Sequence, residues 1–339
     1  MEQAFINYAE SLILQGNEVV CIIKTDAPYV RELESIGVKI YKVKNRFGYS
    51  DYPLIWKIRN VIRRENIDIG IAHAGRAISL LKRASKKLCP VVAVNHSSNI
   101  KRSIGADAVF VINSEAEQAV IKKGQNKNSV FLVPNMIKLL GRIPSRKKEG
   151  KVLVIGAMAR LVKAKGMVEL INAIDILNKK GVKVKLVIAG VGEEKDNLKS
   201  LVRGKKLEKN VRFLGWLEEK EEFYNLCDIF CLPSLFEPFG IVLLEAMLYK
   251  KPIVATNSEG PRDIFVNGKD VIIVSKDNPE ELPKNLAKGI EKLVKSKVLR
   301  NKLAKNAHKN LIANYSMDAV GFRLKKTLGC VVKLYNKNK

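Results

Sequence analysis

Residues 233–247 read PSLFEPFGIVLLEAM, and this stretch sets two glutamates, Glu237 and Glu245, among Leu, Phe, Ile and Met side chains. A carboxylate that is removed from water is costly unless a partner binds it. We therefore expect both glutamates to have partners, and the hydroxyl groups of a polyol ligand would be suitable ones.

This stretch lies inside a predicted strand–loop–helix–strand unit. Residues 228–232 are an apolar run that predicts a buried strand, residues 241–249 have helical character, and residues 252–256 predict the next strand. The loop that carries Glu237 therefore follows the carboxyl end of a strand, where open parallel sheets bind their ligands. The helix that starts near Gly240 presents free backbone N–H groups and the positive end of its dipole, which suits a phosphate.

The composition indicates a protein with two apolar cores and no membrane span. The chain has 339 residues, enough for two domains, and 47% of them are hydrophobic. We find no uninterrupted apolar run of about 18 residues and no signal-peptide pattern. The five cysteines lie mostly in apolar runs and predict reduced core residues of a cytosolic protein. Three histidines are too few for a His-rich metal centre.

The formal net charge of +27 favours partners that carry phosphate: nucleic acid, anionic lipid or phosphorylated saccharide. The densest basic cluster falls in a predicted amphipathic helix over residues 79–88 and consists of Lys82, Arg83, Lys86 and Lys87. It indicates either a solvated helix face or a peripheral contact with an anionic membrane. Nucleic acid is disfavoured, because the sequence shows neither a basic patch interleaved with aromatics nor a known nucleic-acid motif.

Strand-like and helix-like segments alternate along the chain, which predicts an α/β fold with two doubly wound, Rossmann-like domains and a cleft between them. In the first domain we predict helices at 2–15, 29–36, 52–65, 78–88 and 114–123, and strands at 19–24, 38–43, 67–72, 91–95, 108–112 and 129–133. In the second domain we predict helices at 167–180, 193–203 and 219–226, and strands at 151–155, 185–189 and 211–214, before the unit described above.

Ser114 and Glu117 predict a capping box at the start of the helix over 114–123. A basic linker at 142–151 marks the boundary, and residues 317–335 predict a final long helix.

A second loop, residues 156–166, follows the first predicted strand of the second domain and carries Arg160 and Lys165. An arginine can bind a diphosphate bidentately while a lysine acts as a point charge. The loop lacks the ending of a P-loop, and the chain lacks a dinucleotide-binding glycine fingerprint. On their own these two residues would be ordinary surface charges, but their position at a strand's carboxyl end favours a ligand role.

The order Arg160, Lys165-Gly166, then Glu237 and Glu245 with seven residues between them, resembles the retaining glycosyltransferases of family 4, which have the GT-B fold. Further segments match the family in order and spacing: 133–135 (VPN), 189–192 (AGVG), 211–215 (VRFLG) and 232–234 (LPS). The resemblance covers nearly the whole chain. Within the family, the chain is most similar to enzymes that build lipopolysaccharide core or other cell-envelope glycans.

The resemblance implies a role for each donor-side residue. Arg160 and Lys165 would bind the diphosphate of a nucleotide sugar and stabilise its charge as it leaves. Glu237 would bind hydroxyls of the donor sugar, and Glu245 would hold the ribose. The remaining donor-site residues are Phe239, Gly240, Ile241, Trp216 and Leu217, the last two beside the nucleobase. No metal or other cofactor is implied, since the basic clamp does the work of a cation.

The resemblance also implies an acceptor side in the first domain. His96 matches a histidine that faces the donor sugar, and the alternative is a structural histidine at a strand end. His73 and Arg76 would lie in the acceptor cleft, with the same alternative for His73. The final helix would return to the first domain, so that the domains are 1–140 with 317–335, and 141–316. The implied enzyme is cytoplasmic, at the inner face of the membrane, with a saccharide or glycolipid acceptor.

The start of the chain departs from the family pattern. The family begins with a buried strand and a Gly-rich loop before its first helix, whereas residues 1–3 already fall inside that helix. The loop brings its backbone close to donor and acceptor, where only glycine permits the contact. Two hypotheses follow: either the true start lies upstream, or the chain is a truncated, inactive nucleotide-sugar-binding remnant.

Overall fold

The computed structural model describes residues 2–96, 99–141, 150 and 152–337. The chain divides into two compact units, the first formed by residues 1–138 and 315–339 and the second by residues 139–314. The boundaries predicted from the sequence, after residues 140 and 316, each lie two residues beyond those of the units. Except for Gly150, the predicted linker 142–151 lies outside the described residues.

The first unit alternates strands and helices in the order that the sequence predicts. Its elements are α1 (Glu2–Leu14), β1 (Val20–Lys24), α2 (Val30–Ser35), β2 (Lys39–Val43), α3 (Tyr52–Arg64), β3 (Gly70–His73), α4 (Gly75–Ala84), β4 (Val91–Asn95), β5 (Ala108–Val111), α5 (Ser114–Lys122) and β6 (Val130–Leu132).

The second unit continues the alternation and adds two successive helices at its end. Its elements are β7 (Leu153–Met158), α6 (Met167–Lys179), β8 (Val184–Ala189), α7 (Lys195–Gly204), β9 (Val211–Gly215), α8 (Lys220–Leu226), β10 (Ile229–Leu232), α9 (Ile241–Leu248), β11 (Ile253–Thr256), α10 (Glu259–Ile264), β12 (Ile272–Val274), α11 (Leu282–Lys295) and α12 (Lys297–Asn314). The last helix, α13 (Met317–Lys337), belongs to the first unit.

The strands of the first unit form two parallel sheets. β1 pairs with β2, and a separate four-stranded sheet has the order β3-β4-β5-β6. Every residue of β4 and β5 is buried, as expected for strands with helices on both faces. β1 and β3 instead alternate between buried and half-buried residues. The sequence predicts a first domain without its first strand, and in the described residues the sheet is divided between β1 and β3.

Helix α1 packs against both sheets of the first unit. Ile6 lies in an apolar cluster with Cys21 of β1, and Tyr8 lies in another with Val92 of β4. α13 packs on α1, and the Asn7 side chain donates a hydrogen bond to the Met136 carbonyl over 2.7 Å. These contacts fix α1 across the interval between the two sheets.

The second unit has one continuous six-stranded parallel sheet with the order β12-β11-β10-β7-β8-β9. α6 and α11 pack together on one face, and their apolar residues share a single buried cluster with the strands beneath them. The chain runs outward from β7 through β8 and β9 and then returns to the other side of β7 at β10. The carboxyl ends of β7 and β10 are therefore neighbours at the point where the strand order reverses, which we call the switch point.

Three local predictions are wrong. The helix predicted over 78–88 ends at Ala84, so Lys86 and Lys87 follow it, and Lys87 has a positive φ of 64°. Asn113 rather than Ser114 caps α5, because its side chain accepts the N–H of Ala116 over 2.7 Å. No element was predicted over residues 257–316, where α10, β12, α11 and α12 lie.

Candidate functional site

The loops that follow β7 and β10 meet at the switch point. The backbone N–H groups of Leu235 and Phe236 both donate to the carbonyl of Ala164, over 2.9 and 3.2 Å. Gly166 lies directly against this contact with a φ of 65°, and a Cβ there would sit 2.0 Å from the carbonyl oxygen of Pro233. Only glycine can occupy that position without moving one of the two loops.

Lys165 and Glu237, which the sequence assigns to the phosphate and the sugar of a donor, form an ion pair. Lys165 Nζ lies 2.7 Å from Glu237 Oε2, and the two side chains are 16% and 11% exposed. Ser234 Oγ lies 3.5 Å from the same carboxylate oxygen. Glu237 therefore has a partner within the chain. A ligand that binds Lys165 or Glu237 must share or break this ion pair.

Arg160 is exposed, and among the described residues no side chain forms a hydrogen bond or ion pair with its guanidinium. It belongs to the loop after β7, five residues before Lys165. Its carbonyl accepts the N–H of Val162 over 2.9 Å, which closes a tight turn. The guanidinium is thus a cation at the switch point that is available to an anionic ligand.

Glu245 is buried in α9 and its two oxygens have different partners. Lys220 Nζ lies 2.6 Å from Oε1, and the Tyr224 hydroxyl lies 3.2 Å from Oε2. The same hydroxyl lies 3.1 Å from the Val242 carbonyl, and its one proton can be donated to only one of these acceptors at a time. Burial, and then Glu245, raise the pKa of Tyr224 well above its ordinary value, so this phenol keeps its proton.

Lys220 and Tyr224 are site residues that the sequence analysis missed. Both lie on α8, more than 20 residues before Glu245 in the chain. The spacing of four within one helix could have paired them with each other, but nothing in the sequence connects α8 with α9. Stacking of Tyr224 on Tyr249, with ring centres 4.7 Å apart, holds the phenol against α9.

Gly240 and Ile241 begin α9, and no side chain caps that helix. The first N–H groups of α9 therefore have no side-chain cap at the place where the sequence predicts a phosphate or sugar. Phe239 is only 4% exposed, and a Cβ at Gly260 would lie 2.1 Å from its carbonyl oxygen. Since the Phe239 ring is buried, any contact of this residue with a ligand would involve its backbone.

Trp216 and Leu217 follow β9, two strands from β7 in the same sheet. Trp216 is 72% exposed and Leu217 is half-buried. The adjacent Gly215 carbonyl accepts the N–H of Gly190 over 2.6 Å, which joins the loops after β8 and β9. The indole face is thus open on the carboxyl side of the sheet, where the sequence predicts a nucleobase.

His73 and His96 contact each other directly, which the sequence analysis did not predict. His73 Nδ1 lies 2.9 Å from His96 Nε2, and the rings are stacked with centres 5.1 Å apart. The pKa of His73 lies well below its ordinary value because of burial and the nearby His96, and burial lowers the pKa of His96 to about 4. Both rings are neutral near pH 7 and share one proton across this contact. Of the two ring nitrogens of His96, Nδ1 has no hydrogen-bond partner among the described residues.

The predicted basic cluster of the first unit is not a continuous helical face. Lys82 Nζ donates to the Ile104 carbonyl over 2.6 Å, and partial burial lowers its pKa. Arg83 donates to the Tyr49 carbonyl over 3.1 Å. Lys86 and Lys87 are exposed beyond the end of α4. Lys82 and Arg83 therefore each bind a backbone carbonyl, while Lys86 and Lys87 have no hydrogen-bond partner for their side chains among the described residues.

None of the helices in the described residues is long and apolar enough to cross a membrane. Among the same residues, no group of three or more His, Cys, Asp or Glu side chains could hold a metal ion.

Comparison with known proteins places the second unit in a family. Residues 142–310 match the family model described as "Glycosyl transferases group 1". Over 325 residues, the chain is 27% identical to the lipopolysaccharide core biosynthesis glycosyltransferase LpsE of Rhizobium meliloti (strain 1021). That alignment covers 94% of this chain and 92% of LpsE.

Two solved structures share the fold across almost the whole chain. A glycosyltransferase from Rickettsia africae ESF-5 matches with a TM-score of 0.83 at 17% identity, over 98% of this chain and 94% of that one. Anabaena HepE in complex with UDP matches with a TM-score of 0.81 at 21% identity, over 97% and 95%. At these identities the likeness establishes the fold. The predicted α/β fold class, with two Rossmann-like units of the GT-B type, is confirmed.

Proposed function

We propose that this chain, whose residues 142–310 belong to the group 1 glycosyl transferases, transfers a sugar from a nucleotide-sugar donor to a saccharide or glycolipid acceptor. The product would be a cell-envelope glycan, a proposal supported by the likeness to a lipopolysaccharide core enzyme. A nucleotide donor is supported by the likeness to a protein whose structure contains UDP. The proposal includes retention of the anomeric configuration and a diphosphate clamp that works without a metal ion.

One observation carries the proposal. At the switch point of the second sheet, Lys165 and Glu237 lie 2.7 Å apart with Arg160 exposed on the same loop as the lysine. Cations that suit a diphosphate and a carboxylate that suits sugar hydroxyls are thus within one ligand's reach at the edge where parallel sheets bind ligands.

The donor would bind by replacing the ion pair between Lys165 and Glu237 with its own contacts to each residue. Its diphosphate would take Lys165 and Arg160, while its sugar hydroxyls would take the place of Lys165 at Glu237. During transfer the bond between the anomeric carbon and the diphosphate oxygen breaks, the acceptor oxygen bonds to that carbon, and the acceptor's proton passes to an oxygen of the departing diphosphate. Negative charge grows on the departing diphosphate, where the two fixed cations stabilise it most.

Glu245 would bind the ribose hydroxyls. Lys220 and Tyr224 hold its carboxylate from the side, so that its geometry is set before the donor arrives. Trp216 would lie beside the base, and the N–H groups at Gly240 and Ile241 would face the phosphate or the sugar.

The acceptor side would lie in the first unit. His96 would face the donor sugar through Nδ1, with His73 fixing the orientation of its ring, and Arg76 would contact the acceptor. We further propose a cytoplasmic protein that contacts an anionic membrane through Lys86 and Lys87, the two cations of the predicted cluster that have no carbonyl partner in the described residues.

The alternative is a nucleotide-sugar-binding protein without transferase activity. The division of the first sheet between β1 and β3 favours it, because the residues proposed to face the donor and acceptor stand at the ends of β3 and β4. Since β3 is paired on one side only, it would hold His73, and Arg76 three residues beyond it, less firmly than an inner strand would.

The test begins with the protein and a panel of UDP-, GDP-, ADP- and CMP-sugars. A donor that binds only the folded state raises the unfolding temperature, and mass spectrometry then detects sugar transfer to a saccharide or hydrolysis of the donor. We expect Lys165→Ala to lower the rate by about 100-fold or more, as is typical for loss of a group that stabilises transition-state charge.

Lys163→Ala is the matched control, because Lys163 is exposed on the same short turn and has no side-chain partner among the described residues. It should leave the rate unchanged. Binding without transfer or hydrolysis of any donor would establish the alternative. Absence of a thermal shift with every nucleotide sugar would overturn both functions.

A further inference from the structure

Three arginines of the first unit gather around one exposed tyrosine, Tyr49, in the segment between β2 and α3. The guanidinium carbon of Arg102 lies 4.3 Å from the centre of the Tyr49 ring, and that of Arg76 lies 5.7 Å from it. Arg83 donates from Nη1 to the Tyr49 carbonyl over 3.1 Å. All four side chains are exposed, so these cations are directed at solvent rather than at the core.

None of these arginines has an acidic partner in the part of the chain that the structure describes. The nearest carboxylate along the chain, Asp51, is buried, and its oxygens accept the N–H groups of Arg46, Phe47 and Leu54. Like charges repel at separations below the Debye length of about 10 Å. A cluster of this kind is therefore stabilised by an anion that arrives from outside.

The cluster belongs to the same end of the first unit as the two histidines. Arg76 follows His73, the last residue of β3, by three positions. The Tyr49 segment follows the carboxyl end of β2, and Arg102 packs against Gly75 at the start of α4, where a Cβ would lie 3.1 Å from Arg102 Cγ. Tyr49 and the arginines thus adjoin the proposed acceptor side.

We infer that Tyr49, Arg76, Arg83 and Arg102 form a binding site for an oxyanion, a phosphate or a carboxylate, carried by the acceptor saccharide. The assignment to the acceptor rests on the proposed function. A guanidinium that stacks on an aromatic face keeps its N–H edge free for a second partner. That edge matches two oxygens of a phosphate or carboxylate at once, which a neutral sugar does not offer.

The experiment measures binding of glucose 6-phosphate, glucuronate and glucose to the full chain by calorimetry or ligand-observed NMR, without any nucleotide. We expect the better of the two anionic sugars to bind at least about tenfold more tightly than glucose, and the comparison between them shows which oxyanion the site prefers. In R76Q/R102Q the preference should vanish, while R76Q/R102K, which keeps a positive charge at position 102, should retain part of it. Arg31→Gln removes an exposed arginine of α2 and is the matched charge control.

Equal binding of all three sugars to the wild-type chain would overturn the inference, as would a preference that survives in R76Q/R102Q. Binding of the wild-type chain and of R76Q/R102Q to vesicles that contain phosphatidylglycerol is measured as well. If the double variant loses vesicle binding but keeps its affinity for glucose 6-phosphate, the arginines bind a membrane and the inference is overturned. Donor-induced thermal shifts, measured on the same variants, report on the second unit alone. They separate a failure here from a failure of the proposed function, and the circular dichroism spectrum of each variant shows whether the substituted first unit is folded.

Discussion

The two units handle charge in opposite ways. In the second unit the two candidate carboxylates already have cationic partners, since Glu237 pairs with Lys165 and Glu245 pairs with Lys220. In the first unit the arginines around Tyr49 have no acidic partner among the described residues. A ligand of the second unit must exchange one ion pair for another, whereas an anion at Tyr49 would meet arginines that contact only the Tyr49 ring and carbonyl and no carboxylate among the described residues.

The two units also differ in the continuity of their sheets and apolar cores. The second unit has one six-stranded sheet and one large apolar cluster. The first unit has two sheets, and its apolar residues are divided among several smaller clusters. The candidate donor residues therefore follow strands of a continuous sheet. The positions of His73 and His96, at the ends of β3 and β4 in the divided sheet, depend more on the helices that pack against both parts.

The largest expected effect concerns the close loop contact in the second unit. Gly166→Ala should lower the free energy of unfolding of that unit by about 3 kcal/mol or more, since the added methyl combines left-handed strain with a clash against Pro233. Gly181→Ala is the control: its φ is 76° and no heavy atom lies within 4 Å of the Cβ position, so it should cost only about 1 kcal/mol. Urea unfolding of both variants gives the comparison, and equal losses would contradict a rigid contact between the loops.

An intermediate effect is expected from acid on the first unit. The folded pKa of His96, about 4, lies below the ordinary value of 6.5, and that of His73 is also lowered. The unfolded chain therefore binds more protons than the folded chain between these values, and stability falls as the pH drops from about 6.5 towards 4. For His96 the loss should reach about 2–3 kcal/mol at most.

NMR titration of the three histidines and thermal unfolding at several pH values test this expectation. The variant H73N/H96N should lose less stability over the same pH interval than the wild-type chain. If His96 titrates at its ordinary pKa, the buried contact between the two rings is not present in solution.

The smallest expected effect concerns the hydrogen bond from Tyr224 to the Glu245 carboxylate. Tyr224→Phe removes one hydrogen bond to Glu245 and keeps the ring stack, so the affinity for the bound nucleotide should fall about two- to fivefold, roughly 1 kcal/mol or less. Tyr249→Phe changes the other ring of the stack, whose hydroxyl has no partner among the described residues, and should have no effect. Calorimetric titration with the preferred nucleotide measures both, and equal affinities would mean that Lys220 alone positions Glu245.

Much of the donor side could be predicted because its signals are local. A short apolar run, a loop with Pro and Gly and an apolar helix place Glu237 and Gly240 at a strand end whatever the rest of the chain does. The same holds for Arg160 and Lys165 after β7. Which strands are neighbours is a property of the whole sheet, and the pairing of Lys165 with Glu237, 72 residues apart, follows only from β7 lying beside β10.

Other features had weak or non-local signals. The contact between His73 and His96 depends on the register of β3 with β4, in which His73 is opposite Val94, and the sequence does not fix that register. Helix α11 does carry a readable pattern, since Leu282, Leu286, Ile290 and Leu293 recur at helical spacing and are all buried. Helix α4 ends at Ala84 without a glycine or proline to mark the end, so the residues beyond it were assigned to the helix.

The division of the first sheet has a consequence for handling the protein. Two separate sheets leave four edge strands where one sheet would leave two, and every edge strand exposes N–H and C=O groups that can template another chain. β2 protects its edge with Lys39 and Lys42, but β3 has the sequence GIAH and carries no lysine at all. We therefore expect self-association at high concentration to start at the inner edges, β1 and β3, and a lysine placed on β3 to suppress it.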